Sequence, residues 1–180
     1  IRKDDTTVGT LGIYTTDHNN SRLGNGILSR HTSRDLTDIV QTSVFHDVNH
    51  FSTATATINE DGRKVYPFAR RSMWNRNYSE SRLPDVPSCI IELLSHQNFA
   101  DMKYGLDPSF RFTVSRAVYK GMLKYLSNRY GCEYVVQPLP VESIGVLFAG
   151  SGKASVTWSA AVDEIEPTAV PEGFILYTRV

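Results

Sequence analysis

Cysteine is scarce in this sequence, and neither sign of charge prevails. Two cysteines, Cys89 and Cys132, in 180 residues make neither a metal knuckle nor a disulfide-dense scaffold. Their number leaves the compartment open. Cys89 stands in an apolar run and reads as a small buried hydrophobe. The 19 Lys and Arg balance 19 Asp and Glu, so no global field draws nucleic acid or an anionic membrane, and nucleic acid is not an expected partner. No apolar run approaches the roughly 20 residues of a membrane-spanning helix. Signal-peptide and lipidation motifs are also lacking. The chain opens on Ile1 in a polar stretch that reads as mid-sequence, so an upstream portion carrying any targeting signal is expected.

What is present is ordinary globular material, 41% apolar and 21% charged, in a length that suits one domain or pieces of two. Nine Tyr and eight Phe supply a core or sugar-stacking surfaces. The run from Val8 to Thr16 is short, rich in β-formers and followed by turn residues, and predicts a buried strand. Leu36, Ile39, Val40, Val44, Val48 and Phe51 recur at helical steps, with Thr32 as the expected N-cap. Residues 60–63, Glu-Asp-Gly-Arg, predict a turn that joins two short strands. Ala69 to Arg82 packs four Arg, a Trp and a Tyr without a clean period, which suits a displayed loop or short helix. Pro84 and Pro87 bracket the entry to Ser88–Leu94, a continuous apolar run expected to be a strand buried on both faces of a parallel sheet. Asp107-Pro108 opens a second helix and Gly131 ends it. Alternating strands and helices predict an α/β fold, a partial mixed or parallel sheet with flanking helices.

At residues 137–140, Gln-Pro-Leu-Pro, the composition changes. Three β-like runs follow, Ile144–Phe148, Ala154–Trp158 and Gly173–Val180, with the periodicity of an antiparallel sandwich. Two domains are therefore expected, 1–136 and 141–180.

Glu92 is the sharpest chemical signal. A carboxylate inside an apolar strand is costly to ionise unless it is paired or linked to a metal, and strand ends in α/β sheets are where sites gather. The plainer reading is that it points outward or pairs with an upstream arginine. His96, four residues on, would orient the acid or bind substrate, or is a satisfied loop histidine. His46 and His50 share one side of a helix, but the Glu that a metalloprotease helix carries after its first His is missing, and a role at the helix C-terminus is favoured. His18 and His31 carry no separate signal, and Asp38 and Asp47 read as a solvated helix face. Arg71, Asn75 and Arg76, with the flat faces of Trp74 and Tyr78, suit a carboxylated glycan or peptide. The alternative is a packed loop with Trp74 buried and the arginines paired to Glu80 and Asp85.

The run Val86-Pro87-Ser88-Cys89-Ile90-Ile91-Glu92-Leu93-Leu94-Ser95-His96 resembles the late motif of the zinc-dependent N-acetylmuramoyl-L-alanine amidases, in which a Val-Pro-led apolar strand ends in a catalytic Glu. Trp74 to Glu80 and Leu94 to Met102 are closer still to a branch of large, secreted, multidomain bacterial proteins labelled xanthan-lyase-like. The resemblance spans roughly residues 8–130. It departs where the family places an aromatic and an Asn after the Glu, since Leu94 and His96 stand near those places. It implies a peptidoglycan amide hydrolase, secreted or in the cell envelope, with Glu92 as general acid/base and zinc as cofactor. No residue of this chain maps onto the family's two His and one Glu zinc ligands; these are expected upstream, so the chain alone is expected to be inactive. Val156-Thr157-Trp158 and Gly173 to Arg179 resemble early strands of a fibronectin type III domain, about three where such a sandwich needs about seven. Two other readings stay open. One is a non-catalytic module that binds peptidoglycan or another cell-surface glycan. The other is a polysaccharide lyase using Tyr78 and Arg76.

Overall fold

A computed structural model describes residues 8–15, 26–52, 56–84 and 86–179, residues 26–31 by backbone alone. The chain divides into two compact units between Cys132 and Glu133. The first unit runs β1 (Val8–Tyr14), α1 (Gly26–Phe51), β2 (Thr57–Ile58), β3 (Lys64–Val65), β4 (Phe68–Arg70), β5 (Trp74–Asn75), α2 (Ser79–Arg82), β6 (Ile90–Glu92), α3 (Phe99–Gly105) and α4 (Pro108–Tyr130).

β1 is buried along nearly its whole length, as its β-branched, polar-poor sequence dictates. Every strand of the main sheet pairs with it. β4 runs parallel to its first half, with Val8 opposite Phe68 and Thr10 opposite Arg70. β5 runs parallel to its end, with Ile13 opposite Trp74. Between β4 and β5 the ladder lapses, and the buried Gln41 side chain fills the gap by donating from Nε2 to the carbonyls of Thr10 (3.0 Å) and Arg71 (2.9 Å). β6 is antiparallel to β1, with Leu11 opposite Glu92 and Ile13 opposite Ile90.

The last pairing corrects the expectation of a doubly buried parallel strand. Only Ile90–Glu92 form strand, the two isoleucines are half-buried, and Glu92 is exposed. β6 pairs with β1 alone among the described residues, so it is an edge strand with a solvated side. The turn at residues 60–63 does join two short antiparallel strands, β2 and β3. The stretch 69–82, expected as a loop or short helix, contributes most of β4, all of β5 and the one-turn α2.

α1 and α4 pack closely against each other. A Cβ on Gly121 would stand 2.8 Å from the Cα of Val40, so only glycine permits this approach. One turn is held by a buried ion pair, Lys120 Nζ to Asp47 Oδ2 at 2.7 Å. Asp47 is therefore not on a solvated face, whereas Asp38 is exposed and pairs with Arg70. α1 starts at Gly26, ahead of Thr32, which is a buried residue within the helix. The apolar period marks only the part of the helix that faces the core. α4 begins and ends as expected, with the Asp107 carboxylate accepting from Ser109 N–H at 2.9 Å and Gly131 at φ 68° as its left-handed cap. Val8, Val44, Val48, Phe68, Phe110, Val114 and Ala117 form the core between sheet and helices.

The second unit holds one antiparallel hairpin, β7 (Glu142–Gly150) and β8 (Lys153–Ser159). Its two-residue loop, Ser151-Gly152, has φ of 53° and 70°, the positive pair that matches the twist of a hairpin. The run from Gly173 to Arg179 forms no strand, contrary to its sequence pattern; Phe174 instead meets Trp158 edge-on at 5.7 Å. β-propensity is realised only where an edge is available to pair with.

Candidate functional site

The end of β6 opens onto a groove of about 870 Å³ within the first unit, a size suited to a ligand. Glu92 lines it at the strand's C-terminal end, and His96 and Gln97 follow on the next turn. That turn is fixed by two side-chain bonds at the start of α3. The Asn98 side chain accepts from Asp101 N–H at 3.1 Å, while the buried Asp101 carboxylate accepts from Ser95 N–H at 2.7 Å. Asn98 is thus a side-chain N-cap of α3, and Asp101 ties the helix start back to the turn at Ser95. Arg71 lines the groove from the lapse between β4 and β5. Its backbone is held on both sides, its N–H donating to the Thr10 carbonyl at 3.0 Å and its carbonyl accepting from Gln41.

The groove thus gathers three of the residues singled out in the sequence, Glu92, His96 and Arg71. It does not gather Trp74, Asn75, Arg76 or Tyr78, which do not line it. Trp74 is exposed rather than buried, with the Arg76 guanidinium 5.5 Å over its ring. Tyr78 is exposed ahead of α2. Their segment is tied to the end of β1, where Thr15 Oγ1 donates to the Arg76 carbonyl at 2.5 Å and lies 2.7 Å from Ser81 Oγ. Glu80 accepts from the Ser79 hydroxyl at 3.1 Å. Its own backbone N–H, then that hydroxyl, hold its carboxyl below the usual range. Asp85, His18 and the His31 side chain lie outside the described residues.

Among the lining residues that were not foreseen are Arg111 and Ser115 on α4. The available signal was an offset: Phe110 and Val114 face the core, and one step on, Arg111 and Ser115 repeat the same four-residue spacing along the rim. Among the described residues, the charged groups on the lining are two guanidiniums and one carboxylate, Arg71, Arg111 and Glu92. None of the three forms a side-chain hydrogen bond or ion pair with a described residue. The groove therefore carries a local positive excess in a chain of zero net charge.

His46 and His50 are exposed near the C-terminal end of α1, where His50 is the basic residue of the last turn. Among the described residues no group of three or more His, Cys, Asp or Glu is placed to hold a metal ion. The groove's own donors, Glu92 and His96, fall short of the roughly three protein ligands of a catalytic zinc site. Cys89, behind β6, is half-buried; burial pushes its thiol up, and a hydrogen bond with Thr37 opposes this weakly. Among the described residues no helix is long and apolar enough to cross a membrane.

Fold and groove together define an α/β unit with a mixed sheet and an open cleft at the end of an edge strand. No family model matches the chain, and no curated protein matches it. Among solved structures, the CwlD amidase of Clostridioides difficile, determined in complex with the GerS lipoprotein, is similar with a TM-score of 0.49 and 18% identity. The match covers 71% of this chain and 50% of that one, so this chain spans about half the length of the structure it matches.

Proposed function

We propose that the first unit is the acid/base half of a peptidoglycan amide hydrolase of the N-acetylmuramoyl-L-alanine amidase kind. The observation that carries this is Glu92. It ends β6, is exposed on the groove and its carboxylate has no partner among the described residues, and it is the residue on which the sequence resemblance to these amidases converges. In this role its carboxylate takes a proton from the attacking water and returns it to the leaving amide nitrogen. His96 on the ordered turn beside it hydrogen-bonds the substrate. The described residues do not by themselves form a zinc site; in this reading the ligands come from elsewhere in the protein. A cell-wall substrate would place the work outside the cytoplasm, in the envelope or beyond. The second unit would then be the first part of a fibronectin type III-like sandwich, a reading supported by its hairpin and the Trp158–Phe174 contact.

The test is release of stem peptide from purified peptidoglycan by the chain joined to the zinc-ligating segments that the reading requires. Glu92→Gln is expected to lower the rate by about 10²–10⁴-fold, the usual contribution of a positioned acid/base. Undiminished release by that variant would remove Glu92 from the reaction.

A second reading, a non-catalytic glycan- or peptide-binding module, is favoured by one observation. The exposed Trp74 face backed by Arg76, with Tyr78 exposed nearby in sequence, presents stacking surfaces outside the groove. Binding of peptidoglycan that survives Glu92→Gln and is lost in Trp74→Ala, without any release of peptide, is the outcome that would select it.

A further inference from the structure

Arg111 stands near the end of a helix that does not favour a positive charge. It is the fourth residue of α4, whose first turn contains no acidic residue, and cations are disfavoured at that end of the helix dipole. The Asp107 carboxylate is engaged as the N-cap, and the Arg111 guanidinium has no partner among the described residues. Arg71 repeats the pattern from the opposite side of the sequence. Its backbone is pinned by Thr10 and Gln41, yet its guanidinium also lacks a partner among the described residues and also lines the groove. The only carboxylate among the described lining residues, Glu92, pairs with neither arginine. Two unneutralised guanidiniums in one cleft, one of them placed against its helix dipole, are a local conflict that a bound anion would resolve.

We infer that the groove holds its ligand by a carboxylate received between Arg71 and Arg111, so that it selects acidic over amidated peptides. The inference rests on reading this groove as the substrate site and adds the ligand's charge. Planar guanidiniums match a carboxylate with paired N–H donors. Ser115 and Gln97 on the same lining offer neutral partners for the peptide's amides. Glu92 disfavours an anion in its own immediate surroundings, which keeps the ligand's carboxylate to the arginine side and leaves the neutral amide for Glu92.

The experiment is calorimetric or NMR titration of the 180-residue chain with acetyl-alanyl-glutamate and with its amide counterpart acetyl-alanyl-glutamine. A third titrant, oligogalacturonate, presents the same carboxylate on a sugar. The acidic dipeptide is expected to bind about tenfold more tightly than the amide, the size of one charge-assisted hydrogen bond, and less so at high salt. Arg111→Gln, at an exposed position, and Arg71→Gln are each expected to cut the preference several-fold, with Arg111→Lys recovering part of it. Equal affinity for acid and amide, or an unchanged preference in Arg111→Gln with an unchanged melting temperature, overturns the inference. Tighter, arginine-dependent binding of the oligogalacturonate overturns its peptide part. Glu92→Gln is expected to keep or strengthen the preference. Failure of the hydrolysis reading would therefore register in peptide release, and failure of this one in the acid-to-amide ratio.

Discussion

Two residues show how differently one polar atom fares on the two sides of β6. On the groove side, Glu92 is exposed and its carboxylate has no partner among the described residues. On the other, Cys89 is half-buried and its thiol is pushed up by desolvation. The thiolate is the reactive form, so Cys89 is expected to alkylate more slowly with iodoacetamide than the exposed Cys132 at pH 8–9; peptide mapping of a short reaction checks the order. The sign of the linked stability follows. A thiol whose folded pKa lies above its ordinary value of 9.0 contributes fully below that value, and its contribution is lost as pH rises through the folded pKa. Denaturation midpoints of Cys89→Ala should therefore decline less above pH 9 than those of the native chain. Glu92 was legible in the sequence as a carboxylate in an apolar run. Its exposure was one of the readings left open there, because an apolar run records affinity for a strand but not whether a second strand covers the edge.

At the scale of elements, the pairing of α1 with α4 carries a charge in its core. Lys120 and Asp47 are both buried and lie 2.7 Å apart. Lys120→Met leaves the Asp47 carboxylate buried beside an apolar chain and is expected to cost about 3–5 kcal/mol, whereas the double change with Asp47→Leu should cost far less. Urea denaturation of the two single variants and the double variant gives the coupling directly. This pair escaped the sequence because Asp47 sits between the apolar positions 44 and 48 and reads as polar punctuation; its partner is on an element 73 positions away. The helices themselves were legible wherever caps and periods coincided, as at Asp107 and Gly131. α3 was not foreseen, because its start is signalled by a lone Asn98 cap without the Ser/Thr and Glu pair of a capping box.

In the molecule as a whole, the two units differ in how much they bury. The first has a continuous apolar core. The second has a two-stranded hairpin whose Ile144, Val146, Leu147 and Phe148 are exposed, and a hairpin alone is marginal in water. Hydrogen exchange is therefore expected to be slowest in β1, α1 and α4 and faster by orders of magnitude in β7 and β8; equal protection of the two units would contradict the burial pattern. Alternation of strands and helices made the α/β character legible, while the central place of β1 was not, since nothing local in Val8–Tyr14 specifies partners so distant. That centrality also sets a timetable for synthesis. The Thr10 hydroxyl bonds the carbonyl of Glu92, 82 positions later. At roughly 5–20 residues per second of translation, β1 waits on the order of 4–16 s for its antiparallel neighbour to be made. For most of that interval, until β4 and β5 are made, an apolar strand has no described edge to join, so the nascent chain must be shielded or must collapse reversibly until they and finally β6 arrive.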